Sequence, residues 1–255
     1  MFNIAINSFR ELIRNRILLI ILFFASLLIV FSLVLSSLSL GQTSRIILDF
    51  GLAMIEISGL LATIFIWGQI MYREIEGKTI YLILSKPISR YEFILGKFFG
   101  FAAIIMLITW AQFWVLAILL KFSGILFDPL LIISVIFIAL KLLIVFAIIL
   151  FFSTFSSPLL SVFATIALYV SAHSTPSMID LATRSQNTVT IKWAEFLTAF
   201  LPNFYALSAP KNTIGTIVAL QTDFLLYNTF LSIGYLAVIL LWTICIFQYK
   251  KFESV

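Results

Sequence analysis

The chain has 255 residues, of which 62% are apolar and only 11% charged, and its mean hydropathy is +1.17. Soluble domains carry about 45–50% apolar and about 25% charged residues, so this composition excludes a soluble enzyme and a disordered chain alike. The formal net charge is +5; in the all-α, polytopic membrane protein that remains, Lys and Arg orient the chain in the bilayer and are not a sign of nucleic-acid binding.

Residues 1–16 place Phe2, Ile6, Phe9 and Ile13 at helical spacing, with Asn3, Asn7, Arg10 and Arg14 opposite. This predicts an amphipathic helix at the inner interface; a cytosolic extension of the first span explains the same residues. A spanning helix needs about 20 apolar residues. The first such run, 17–40, is longer than a signal-peptide core and reads as a retained anchor. The second covers 46–71 and the third 98–120. From Leu130 to Tyr169 the apolar stretch is too long for one span, and the segment Ser153 to Pro158 supplies the break. That gives spans at 130–152 and 158–172, and the last run covers 225–247.

Six spans put both termini on one side. Arg10, Arg14, Arg16, Arg73, Lys78, Lys86, Arg90, Lys97, Lys250 and Lys251 then fall inside. Arg45, Lys121, Arg184, Lys192 and Lys211 fall outside, half as many, and Lys141 lies within the membrane. The excess makes both termini cytoplasmic. Fusing the fourth and fifth spans would move Lys250 and Lys251 outside and spoil the bias. The outer segment, 173–224, carries Trp193, Phe196, Leu197, Phe200 and Leu201 on one stripe closed by Pro202. Such a helix lies on the outer leaflet or caps the bundle.

Glu56 and Lys141 sit deep inside apolar runs. Counted at helical rise, Glu56 lies about 14 Å below the outer end of the second span and Lys141 about 16 Å below that of the fourth. An unpaired charge at that depth costs at least roughly 2.5–3.5 kcal/mol, so the two are expected to pair. Asp49 lies seven residues before Glu56 on the same helix face. The pair serves either a polar translocation path or a lock between two helices. One cysteine, Cys245, and one histidine, His173, leave no ligand set for zinc and no disulfide within the chain.

The loop 72–97 between the second and third spans has a design of its own. Glu74 and Lys78 form an i,i+4 pair, and Ile80, Ile83 and Leu84 follow at helical spacing until Pro87. Ser89 and Glu92 have the spacing of a capping box that starts a new helix running into the third span. Gly96 and Gly100 then form a small-xxx-small pair suited to close backbone approach. The fragment Gly77, Lys78, Thr79 is not a phosphate-binding loop, because Tyr72 stands where that motif needs a glycine. A rigid cytosolic helix suggests a docking surface; an interfacial hairpin without a partner fits the same features.

Arg73, Glu74, Gly77 and Thr79, then Leu84 to Pro87 with Ser89, Arg90 and Glu92, and Leu95, Gly96 and Lys97 resemble the corresponding loop of ABC-2 type transporter permeases. Leu201 to Phe204 and the ending Phe247 to Phe252 are similar too. The resemblance implies a membrane subunit that pairs with a second permease copy, as a homo- or heterodimer, and with two copies of a separate ATPase. ATP and Mg would sit on that ATPase, with no cofactor, metal or catalytic residue in this chain. Arg73, Glu74, Gly77, Thr79, Ile80, Ile83, Leu84, Pro87 and Arg90 would form the ATPase-docking coupling loop; Ser89, Glu92, Gly96, Lys97 and Gly100 would restart and pack the next helix. Ser156, Ser157 and Pro158 would be the second cytoplasmic contact. The expected location is a prokaryotic plasma (inner) membrane. Two other functions stay open: an ion-coupled secondary carrier that uses Glu56, Lys141 and Asp49, and a non-transporting assembly scaffold.

Overall fold

In lipid, every backbone N–H and C=O must find a partner within the protein, which favours helices for apolar runs of this length. A computed structural model describes residues 2–14, 16–37, 43–68, 70, 89–214 and 221–249. These residues are helical almost throughout, with no strand among them. In chain order the helices are α1 (Phe2–Ile13), α2 (Arg16–Ser37), α3 (Thr43–Leu61), α4 (Arg90–Phe122), α5 (Leu130–Ser153), α6 (Pro158–His173), α7 (Thr175–Arg184), α8 (Thr188–Phe200), α9 (Phe204–Thr213) and α10 (Thr222–Tyr249). A wider π-helical turn, Ala62–Ile66, continues α3.

Among the described residues, five helices are long and apolar enough to cross a membrane: α2, α3 with its π-helical turn, α4, α5 and α10. Helices α6 and α7, bent by 58° at their junction, make a sixth when taken as one span. Alone, the 16 residues of α6 reach only about 24 Å, short of the roughly 30 Å hydrocarbon core. The chain is therefore an all-α polytopic membrane protein. Helix α3 is already formed at Thr43, ahead of the expected start at Ile46; residues 38–40, the end of the first expected span, lie outside the described residues.

Helix α5 forms the centre, with 78% of its most apolar window buried against 22% for α2 and α10. Leu142, Val145, Phe146 and Ile149 are fully enclosed. Around Phe146, α3, α4 and α5 meet in an aromatic node. Phe101 stacks on it with ring centroids 4.0 Å apart, and Trp67 meets it edge-on at 5.1 Å. Lys97 is buried beside this node, its ammonium 5.6 Å from the Trp67 ring centre and 5.1 Å from that of Phe93. A cation over an aromatic face gains from the ring quadrupole, more so when desolvated.

Helix α1 lies on α4 with only part of the apolar stripe turned inward: Phe9 packs against the core. Phe2 and Ile13 are exposed, whereas Leu12 is buried. The contact runs along Ala5, Ser8 and Leu12. Gly100 permits it: a Cβ there would stand 2.6 Å from the Ala5 carbonyl oxygen and 2.8 Å from Ser8 Cβ. Where lipid is as apolar as leucine, small residues and close backbones decide which faces meet.

The segment 173–224 is not a simple outer loop. It folds into α7, α8 and α9, and α9 turns back into the bundle. Phe204 is 0% and Leu207 2% exposed, both packed with Val145 and Ile148 of α5. The Trp193, Phe196, Leu197 and Phe200 stripe of α8 faces outward, with no buried residue on that helix. It does not cap the described bundle.

Candidate functional site

Buried charges persist only when paired and hydrogen-bonded, and the interior of this bundle holds such a group. Glu56 comes from the middle of α3, Lys141 from the middle of α5. Gly59, one turn beyond Glu56, leaves no room for a side chain against Leu142, the neighbour of Lys141. That close approach brings the two helices within reach of a direct bond. The Lys141 ammonium donates to Glu56 Oε1 at 2.6 Å and to Ser208 Oγ at 2.6 Å. Ser208 in turn donates to the Phe204 carbonyl at 3.0 Å. Tyr169 of α6 donates its hydroxyl to Glu56 Oε1 at 3.1 Å. Lys211 of α9 reaches Glu56 Oε2 at 3.3 Å.

Four helices thus converge on one carboxylate. Helix α9 is placed to do so by its own start: Asn203 Oδ1 accepts from the Ala206 N–H at 3.0 Å, capping the first turn. Phe204 and Leu207 then anchor one face, and Ser208 and Lys211, three residues apart, share the face turned to Glu56. The ring of His173 stacks near Tyr169, with centroids 6.1 Å apart.

The structure brings Glu56 and Lys141 together and corrects two neighbouring assignments. Lys211, counted with the outer loop, is at the buried pair. Asp49 is not: it pairs with Arg45 at 3.6 Å, and both side chains are more than half exposed. Tyr169, Ser208 and Lys211 are absent from the sequence-based site. The available signal was the asparagine cap after Pro202, which starts a helix whose mostly apolar first turns carry Ser208 toward Lys211.

A second polar contact ties α3 to α4. Ser58 Oγ donates to Gln112 Oε1 at 2.9 Å, and Gln112 is fully buried.

At the other end of the bundle lie the described parts of the expected docking region. Arg73, Glu74, Gly77, Thr79, Ile80, Ile83, Leu84 and Pro87 fall outside the described residues. Arg90 is described, and its guanidinium donates to the carbonyls of Phe247 at 3.2 Å and Gln248 at 2.7 Å. It supplies donors to carbonyls in the last described turn of α10. Phe93 stacks on Phe247 beneath it. Glu92 accepts from the Ser89 N–H at 3.3 Å, as the capping spacing predicts. Gly96 is buried within the packed face of α4. Arg90→Ala should leave the bundle folded, cost about 0.3–1 kcal/mol, and speed hydrogen exchange in the last described turn of α10. Equal exchange in wild type and variant would show that the guanidinium caps nothing.

Ser156, Ser157 and Pro158 form the turn between α5 and α6. Ser157 Oγ accepts from the Leu160 N–H at 3.4 Å, with Pro158 at the first helical position. Ser156 donates to the Phe152 carbonyl at 2.7 Å. Phe155 of this turn is exposed and lines a cavity with Trp242 and Tyr249 near the end of α10. The start of α4, the α5–α6 turn and the end of α10 therefore gather at one end of the molecule.

No family model matches the sequence, and no curated protein matches it.

Proposed function

We infer that this chain is the membrane subunit of an ATP-driven exporter of the ABC-2 type, with six spans, both termini cytoplasmic, in a prokaryotic plasma membrane. The observation that carries this reading is the sequence pattern of the 72–97 loop: apolar residues at helical spacing up to Pro87, then a capped restart at Ser89 and Glu92. The gathering of α4's start, the α5–α6 turn and α10's end at one end of the bundle supports it. That end carries Arg90 and Lys97 and leads into Lys250 and Lys251, the side a positive excess assigns to the cytoplasm. The helix around Glu74 to Leu84 seats in an ATPase, and the Ser156 to Pro158 turn makes a second contact. Two ATPase copies and a second permease copy complete the assembly. ATP binding closes the ATPases, and the coupling helix passes that motion to the spans.

A pulldown of the chain from its native membrane in mild detergent, followed by an ATPase assay, tests this. A Walker-containing subunit should co-purify. Leu84→Glu puts a charge on the apolar face of the docking helix and should cut its recovery at least about tenfold, the loss expected for a hot-spot side chain. If no ATPase is recovered even after crosslinking, the exporter reading fails.

The buried Glu56, Lys141 and Lys211 group favours a second reading, an ion-coupled carrier. Intramembrane ionisable residues often mark such pathways. Asp49 plays no part in it. Transport that survives inactivation of every ATPase in the membrane preparation would select the carrier.

A further inference from the structure

The charge at the buried cluster is uneven. Glu56 contributes one negative charge, while Lys141 and Lys211 are both cations; among the described residues no second carboxylate pairs with either lysine. A surplus charge at membrane depth is costly unless something compensates it.

The two lysines are not equivalent. Lys141 is fully enclosed and holds Glu56 and Ser208 at 2.6 Å each. Among the described residues Lys211 has one partner, at 3.3 Å, and its side chain keeps 18% of its surface exposed. An ammonium carries three donors, so Lys211 has donors to spare on its open side. A cation binding there would add to the surplus, and a neutral polyol would leave it unchanged. An oxyanion would cancel it and accept the spare hydrogen bonds, which are strongest when both partners are charged.

We propose that Lys211 anchors a binding site for an oxyanion, a carboxylate or phosphate group, that enters beside Glu56 at the mouth of the buried cluster. The group belongs either to a lipid headgroup or to a soluble anion. Lys141 stays with Glu56 and Ser208 and holds α3, α5 and α9 in place around the site. The inference does not rest on an ATPase partner, because the site lies wholly within this chain.

The test is thermal unfolding of the purified chain in a nonionic detergent. One arm titrates sodium phosphate against sodium chloride at matched ionic strength. The other adds phosphatidylglycerol against phosphatidylcholine. At least one arm should give a saturable rise in Tm of roughly 2–4 °C. A rise with phosphate identifies a soluble anion; a rise with phosphatidylglycerol alone identifies a headgroup. Lys211→Met should abolish the rise, and Lys192→Met, at an exposed lysine on α8, should keep it. A second readout needs no variant: the active anion should slow acylation of Lys211 and leave that of Lys192 unchanged. The proposal is overturned if neither anion raises Tm, if Lys211→Met keeps the rise, if Lys192→Met loses it equally, or if the anion protects neither or both lysines from acylation.

Discussion

Glu56→Ala should be the most damaging single substitution in the chain, costing about 3–5 kcal/mol of stability. The carboxylate accepts from three side chains on three different helices. Removing it leaves Lys141 fully enclosed with Ser208 as its remaining acceptor, and leaves Lys211 with none among the described residues. Breaking a buried pair costs more than deleting the whole pair, because one charge stays behind without compensation. The order of effects follows from what each variant strands. Glu56→Ala strands two ammonium groups. Lys141→Met leaves Glu56 with Lys211 and Tyr169, so its loss is smaller. Lys211→Met leaves a neutral Glu56–Lys141 pair and should be mildest. The triple variant, with all three replaced by apolar residues, should recover most of the loss of Glu56→Ala alone. Thermal unfolding in mild detergent, in the absence of added oxyanion, measures all four. Equal losses for Glu56→Ala and Lys211→Met, or a triple variant no better than Glu56→Ala, would show that charge pairing is not what holds this cluster.

Parts of this cluster could be read from the chain because membrane burial makes a lone charge conspicuous. Glu56 and Lys141 each interrupt a long apolar helix, and their similar depth follows from counting residues at helical rise. Lys211 was hidden because it sits in a segment with Asn203, Ser208 and Asn212, where a lysine costs nothing if the segment is in water. Its burial depends on Phe204 and Leu207 packing against α5, a tertiary event with no local signature. Asp49 failed for the opposite reason. Seven residues do put it on the face of Glu56, but Arg45, one turn away, is the nearer partner and both are at the surface. Five of the spans were legible from length and apolarity alone; the fifth in chain order, α6, is too short by itself and qualifies only together with α7. Helix α9 was not legible, since ten residues are too few to register as a span.

The same limit explains α1, and it can be tested directly. Its apolar stripe is plain in the sequence, but periodicity cannot tell which face meets protein when the surrounding solvent is itself apolar. The structure uses the small residues, with Ala5 and Ser8 against Gly100 and Leu12 below them. Gly100→Leu should therefore displace α1 while leaving the bundle folded. The atom nearest the new Cβ is a backbone oxygen, at 2.6 Å, which cannot rotate aside as a side chain would. Relief requires moving one helix, and overpacking of this kind costs roughly 1–3 kcal/mol. Helix α1 is the element that yields, because α4 is fixed on its other faces by Phe98, Phe101 and Ile104 in the core. Limited trypsin digestion reads the outcome at Arg10 and Arg14: cleavage should accelerate in Gly100→Leu. Gly234→Leu is the control, since nothing lies within 4 Å of a Cβ at that position, and it should leave the cleavage rate unchanged. Wild-type cleavage in Gly100→Leu would mean that α1 is held on α4 by something other than the close contact at Gly100.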